Sequence, residues 1–254
     1  DMSWFLMKKL FIAGCSYSHW SDGYCFNESY PALIAKHFPE WHVYDLSEPG
    51  GANDSVYLRL RQCEDNVGTP DKVIVQWTHL GRANIVLTDS HTPRFIYSDF
   101  KTIDNYTYFD DHFETNESIC VKASLLTTAH DKHRRLEMFA QSSALAVEYL
   151  TAFYSWYLDS HQQRWNTQKE IDLVNAVYGQ DNVLMFDWYN RHHHPGSNDE
   201  TSITVPSNWV GSVATEFGDT KFMQLGVDDA PHYGHEGQLE VYKWLEPYFN
   251  KLLN

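Results

Sequence analysis

Ser16, Asp229 and His232 are the residues whose types and spacing could do chemistry together. A hydroxyl becomes a useful nucleophile when a nearby base takes its proton, and an imidazole serves best when a carboxylate fixes its tautomer and stabilises the imidazolium. In Asp228-Asp229-Ala230-Pro231-His232 the spacing lets a single turn fold the Asp229 carboxylate back toward Nδ1, so that Nε2 faces outward. Asp228 is the weaker partner. His235 has no carboxylate three positions before it and ranks behind His232. A Gly-x-Ser alone usually only caps or lines a loop, so Ser16 gains meaning from that distant pair.

The elements that would position these groups can be read from the hydrophobic pattern. Leu10-Phe11-Ile12-Ala13 is a continuous apolar run broken by Gly14-Cys15-Ser16, which predicts a strand buried on both faces with a sharp turn at its end. Function in open α/β sheets gathers at such carboxyl ends. A helix is expected from Ser29 to Phe38, with Ser29 as N-cap and Pro31 in its first turn. A strand at His42 to Leu46 feeds a turn, Ser47 to Ser55, then a helix from about Val56 to Cys63 and a strand from Lys72 to Trp77. Residues 83 to about 130 have no sustained period and are read as an insertion with its own short strands, a lid or an aromatic wall formed by Tyr97, Phe100, Tyr106, Tyr108, Phe109 and Phe113. Helices are expected at Lys132 to about Ser160 and Gln168 to Val177, a strand at Asn182 to Phe186, a second irregular stretch from Asp187 to Gly226, and a last helix from about Glu236 to Leu252. Alternating strands and helices imply parallel pairing, and no internal repeat interrupts the pattern. The whole chain, 1–254, reads as one domain with insertions at about 83–130 and 187–226.

A Gly-x-Ser after the first strand, a Gly-rich turn at Gly50-Gly51 after the second and Asp-x-x-His before the last helix together resemble the SGNH, or GDSL-type, hydrolase family. The resemblance implies an α/β fold, a three-layer α/β/α sandwich with a central parallel sheet of flavodoxin-like type, and cleavage of esters by serine acyl transfer. It also implies roles: Ser16 as nucleophile, His232 as general base, Asp229 as its orienter and Gly51 as a backbone donor to the oxyanion. Two departures stand out. Cys15 replaces the family's usual acidic residue before the serine. The asparagine that normally donates to the oxyanion is expected after the third strand, where this chain reads Trp77-Thr78-His79-Leu80, while Gly51-Ala52-Asn53-Asp54 spells the expected block after the second strand. Either Asn53 reaches the site, or Thr78 or His79 supplies the third donor, or the hole is incomplete. Losing one such donor costs roughly 100–1,000-fold in rate. Asn53 could also simply cap its helix.

Composition bounds the partners. The 254 residues, 43% hydrophobic, are ample for a buried core, and 34 acidic against 19 basic residues give a formal charge of −15, which argues against nucleic acid or an anionic membrane as partner. Cys15, Cys25, Cys63 and Cys120 form no C-x-x-C pair, so reduced thiols in a cytoplasmic setting are expected. Met7-Lys8-Lys9 followed by an apolar run and Cys15 imitates a lipoprotein signal, but a secretory core needs roughly 7–15 apolar residues; Met7 fits a natural start as well. No run approaches the ~20 apolar residues of a membrane span. Cys15 is read as a small core residue. Arg191-His192-His193-His194-Pro195 lacks a spaced carboxylate or Cys partner, so no metal is expected there. The sequons at Asn27, Asn105 and Asn116 are read as chance. No nucleotide-binding motif occurs, and the chemistry needs no cofactor. The expected substrate is a small-molecule or glycan ester. The rivals are a binding protein that keeps the fold with little catalysis, and an acyltransferase on the same site.

Overall fold

The computed structural model describes residues 7–15, 17–18, 28–47, 53–78, 82–87, 100–109, 119–124, 160–188, 203–217 and 234–254. The strands are β1 (Lys8–Ala13), β2 (Trp41–Asp45), β3 (Lys72–Trp77), β4 (Arg82–Leu87), β5 (Phe100–Ile103), β6 (Tyr106–Phe109), β7 (Ile119–Ser124), β8 (Val183–Asp187) and β9 (Trp209–Ser212). The helices used below are α1 (Tyr30–His37), α2 (Val56–Val67), α3 (Ser160–Tyr178) and α4 (His235–Leu253).

Seven strands form one sheet in the order β5-β6-β2-β1-β3-β8-β9, while β4 and β7 pair antiparallel in a separate ribbon. Every neighbouring pair of the large sheet is parallel except β5 with β6. Without the inserted hairpin, the order β2-β1-β3-β8-β9 is the flavodoxin-like winding, whose switch point lies between β1 and β3. The register sets Ile12 beside Asp45, Ala13 beside Val75 and Trp77 beside Asp187, so the carboxyl ends of these strands share one edge.

The three layers follow from the period of two along the strands. Leu10 and Ile12 of β1 face a cluster completed by Leu33 and Ile34 of α1 and Val241, Leu245 and Phe249 of α4. Phe11 and Ala13 face the opposite cluster, with Val56, Leu60 and Cys63 of α2 and Ile171 and Val174 of α3. Each such fully buried side chain stabilises the fold by about 1.5–3 kcal/mol before entropy is charged against it.

The helix ends follow from local chemistry. Ser29 accepts from Ala32 N at 3.4 Å with Pro31 in the first turn, and α1 stops just before Phe38-Pro39, where the proline disfavours helical backbone at its neighbour. Gly68, at φ +83°, ends α2. Ser55 makes no side-chain cap on α2; the carboxylate of Glu170 on α3 caps it in trans, accepting from Tyr57 N at 2.9 Å.

Short strands do lie within residues 83–130, but β5 and β6 extend the main sheet. Tyr106 and Tyr108, expected in an aromatic wall, are buried in the core beside β2, with rings stacked at 5.4 Å. A residue that alternates inward on a strand paired on both sides packs; it does not present its ring to a ligand. The β5–β6 turn, with Asp104 at φ 54°, is docked by Asn105, whose Nδ2 donates to Ala35 O and Trp41 O, each at 2.8 Å. That sequon amide is therefore engaged inside the fold. The seventh strand, β9, falls within the stretch read as irregular from 187 to 226. It is short and contains Gly211 at φ +140°, so it carries no visible alternation. α3 begins at Ser160, earlier than the expected Gln168; the helix expected from Lys132 lies outside the described residues before that point. Among the described residues no helix is long and apolar enough to cross a membrane.

Candidate active site

The turn that follows β1 is built around Gly14. A Cβ at this position would sit 2.5 Å from Ser18 Oγ and 2.9 Å from Gln76 Oε1, so only glycine allows the approach. Ser18 N donates to Cys15 O at 2.9 Å and closes the turn. Gln76, on β3, then gathers it: Oε1 accepts from Cys15 N (3.0 Å), Cys15 Sγ (3.3 Å) and Ser18 Oγ (3.0 Å), while Nε2 donates to Trp77 O at 2.5 Å. Ser18 Oγ also meets Tyr30 OH at 2.9 Å. Cys15 is completely buried with its thiol held by Gln76, as befits a core residue.

The last helix reaches the same turn. Gln238, in the first turn of α4, donates from Nε2 to Tyr17 O at 2.8 Å and accepts from Tyr30 N at 3.0 Å. Its side chain thereby ties the start of α4 to Tyr17 and to the start of α1. Arg59 of α2 makes a third anchorage: Nη1 donates to Gly14 O (2.8 Å) and to Leu46 O (2.6 Å), and Nε to Ser55 O (3.4 Å).

Asn53 and Thr78 come together at the carboxyl end of β3. Thr78 N donates to Asn53 Oδ1 at 2.8 Å, and Asn53 Nδ2 donates to Thr78 O at 3.0 Å and to Thr167 Oγ1 at 3.2 Å. Both amide hydrogens of Asn53 are thus committed within the protein, and the residue clamps the beginning of α2 to the end of β3 and to α3. Ser16, Gly51, His79, Asp229 and His232 lie outside the described residues, as do Arg191 to Pro195. Among the described residues no cluster of three or more His, Cys, Asp or Glu side chains could hold a metal ion.

Three buried carboxyl groups surround this edge. Burial raises Asp45, at the end of β2, to about 6, although Ser47, Tyr106 and the Arg59 charge pull the other way. Tyr106 OH donates to Asp45 Oδ2 at 2.9 Å, and Ser47 N to Oδ1 at 3.0 Å. Burial also raises Glu170 to about 7, opposed by its bond from Tyr57 N. Asp187, at the end of β8, is pushed to about 8 by desolvation, with Ser212 lowering it in part. These groups are held toward their neutral forms in the dry rim of the sheet.

Gln76, Arg59 and Gln238 escaped the reading of the sequence. The signals were nonetheless there. Gln76 is a polar residue inside the apolar run from Lys72 to Trp77, Arg59 shares the inward stripe of Val56, Leu60 and Cys63, and Gln238 lies on the face of Val241, Tyr242 and Leu245. A polar side chain on a buried face must find partners, and here the partners are loop carbonyls and amides at the strand ends.

No protein-family model matches the sequence, and no curated protein does either. Among solved structures, the chain is similar to the psychrotrophic esterase EstA from Pseudoalteromonas sp., in a form inhibited by monoethylphosphonate, with 11% identity and a TM-score of 0.49 over 97% of this chain and 99% of that one. It is likewise similar to TesA, with 12% identity and a TM-score of 0.48 over 96% of this chain and 99% of the other.

Proposed function

We propose that the protein is a serine hydrolase of the SGNH type that cleaves a small ester through an acyl-Ser16 intermediate. The observation that carries this reading is the bond from Gln238 to Tyr17, at 2.8 Å. It joins the neighbour of Ser16 to the first turn of the helix that follows Asp229-Ala230-Pro231-His232 in the chain, and that link supports a mechanism in which the two halves of the motif act together.

In this mechanism His232 takes the proton of Ser16 as Oγ attacks the acyl carbon, and Asp229 stabilises the resulting imidazolium. The negative charge that forms on the carbonyl oxygen is met by the Gly51 backbone N–H. Asn53 cannot add a donor while its amide hydrogens serve Thr78 and Thr167, so we assign the third donor to the Thr78 hydroxyl, with Asn53 holding its backbone. Collapse of the tetrahedral adduct expels the alcohol, which receives the proton from His232. Water, activated by the same base, then releases the acid and regenerates Ser16. The buried free thiols of Cys15 and Cys63 suit a reducing, cytoplasmic compartment.

Hydrolysis of p-nitrophenyl acetate tests the assignment. The wild type turns it over, and Ser16→Ala abolishes turnover while leaving the circular dichroism spectrum unchanged; a Ser16→Ala protein with wild-type activity would end the reading. The commitment of Asn53 favours one second reading, a protein of the same fold that binds its ligand with little catalysis. That reading requires a wild type with no burst and no turnover on any activated ester.

A further inference from the structure

One guanidinium nitrogen joins the residues that follow β1 and β2. Arg59 Nη1 carries two hydrogens, and they go to Gly14 O at 2.8 Å and Leu46 O at 2.6 Å. Gly14 follows β1 and precedes Cys15-Ser16; Leu46 follows β2 and precedes Gly50-Gly51 in the chain. The two strand ends are also joined directly, for Leu46 N donates to Ile12 O at 2.7 Å. Arg59 is buried, with 4% of its surface exposed, and belongs to α2. A further donor, Nε, returns to Ser55 O in the preceding turn at 3.4 Å, which fixes the side chain against its own helix.

An arginine is a costly choice for this task unless its geometry is used. A buried cation must be compensated, and Arg59 meets carbonyl dipoles together with the nearby Asp45 and Glu170 carboxyl groups. What a planar guanidinium adds over an ammonium is a rigid NH2 group whose two hydrogens lie in a fixed plane, so that two acceptors are held at a set separation.

Resting on the ester-hydrolase reading above, we propose that Arg59 is a positioning residue of the site, setting the separation between Gly14, which precedes Cys15-Ser16 in the chain, and Leu46, which precedes Gly50-Gly51. It touches no substrate. Ser16 must attack one face of an acyl carbon while the oxygen of that carbon meets the Gly51 N–H, so the two loops act as one tool only at one spacing. A shift of about 1 Å between reacting groups can cost on the order of 100-fold in rate. The ground-state ester, bound mainly by other surfaces, is far less sensitive to it, so the loss falls on kcat and spares KM.

The experiment compares wild type, Ser16→Ala, Arg59→Lys and Arg59→Met on p-nitrophenyl acetate, each assayed well below its own melting midpoint. Arg59→Met is expected to lose about 100-fold in kcat with KM within about threefold. Arg59→Lys, whose ammonium keeps the charge without the fixed plane, is expected to recover to within about tenfold of wild type. The pH midpoint of the residual activity stays where the wild type has it, because His232 is untouched. Should Arg59→Met fail to fold, Arg59→Lys decides alone: a wild-type kcat in that variant overturns the proposal, as does a rise in KM with kcat kept in either variant. With Ser16→Ala inactive and the Arg59 variants fully active, only the positioning role falls. An inactive wild type or an active Ser16→Ala overturns the ester-hydrolase reading, and the role of Arg59 with it.

Discussion

Asn53 and Thr78 hold each other through two reciprocal hydrogen bonds, Thr78 N to Asn53 Oδ1 at 2.8 Å and Asn53 Nδ2 to Thr78 O at 3.0 Å. The side-chain amide imitates a strand neighbour and finishes β3 where the sheet would otherwise leave a buried N–H and C=O open. Asn53→Ala would strand both, at about 1–3 kcal/mol for each buried polar group left unsatisfied. A drop in the thermal midpoint is therefore the first expected effect, with activity falling alongside it. Thr78→Val keeps the backbone pair and the shape of the side chain while deleting the hydroxyl. It should lower kcat by roughly 100–1,000-fold with the midpoint nearly unchanged. If Thr78→Val keeps its kcat, the third donor lies elsewhere and His79 becomes the next residue to replace.

The proton acceptor gives a second prediction. An imidazole base must be neutral to work, and its unperturbed pKa is about 6.5. Ester cleavage should rise as the pH passes roughly 6–7 and level off above it. His232→Ala should remove both the activity and the pH step, whereas His235→Ala should leave the step in place. A rate that is flat across this range in the wild type would remove His232 from the mechanism.

What the sequence disclosed about the fold depended on whether burial left a period to read. β1, β3 and β8 are mainly apolar because helices cover both faces, and the limits of these strands and of β2 fall within two residues of the expected ones. α4 showed its face through Val241, Tyr242, Leu245 and Phe249. The β5–β6 hairpin and β9 were obscure because strands of four residues are too short to show a period. For the site, Asn53 and Thr78 were singled out and do meet, yet the purpose of the meeting was legible only in atoms. A sequence names an amide without saying that both its hydrogens are already taken.

Gly14 offers a sharper test of the turn. Replacing it with alanine places a methyl group 2.5 Å from Ser18 Oγ and 2.9 Å from Gln76 Oε1, both held in a buried network that cannot move singly. Overpacking of this kind costs about 1–3 kcal/mol. Gly14→Ala should melt earlier and lose activity, since the strain falls on the segment that carries Ser16. Adding Ser18→Ala removes the nearer obstacle, so the double variant should recover part of the stability. Additive losses in the two changes would mean that the contact at Ser18 is not the source of the strain.

Asp187 predicts how stability should respond to pH. The carboxyl is 2% exposed, and desolvation raises it from the ordinary 3.8 to about 8. The folded protein therefore keeps a proton that the unfolded chain gives up near pH 4. Stability from this group is fully present below the unfolded value and is lost as the pH climbs through about 8, with a slope of at most about 1.4 kcal/mol per pH unit. Asp45, raised to about 6, and Glu170, raised to about 7, act with the same sign over narrower windows. Thermal midpoints measured from pH 4 to 9 should thus decline toward the alkaline end. Asp187→Asn, which cannot ionise, should flatten the steepest part of that decline and melt higher than the wild type at pH 8 and above, while the two proteins should melt close together near pH 4. A wild-type midpoint that rises between pH 6 and 8 would show that the Asp187 carboxyl is ionised in the folded protein and compensated by a charge.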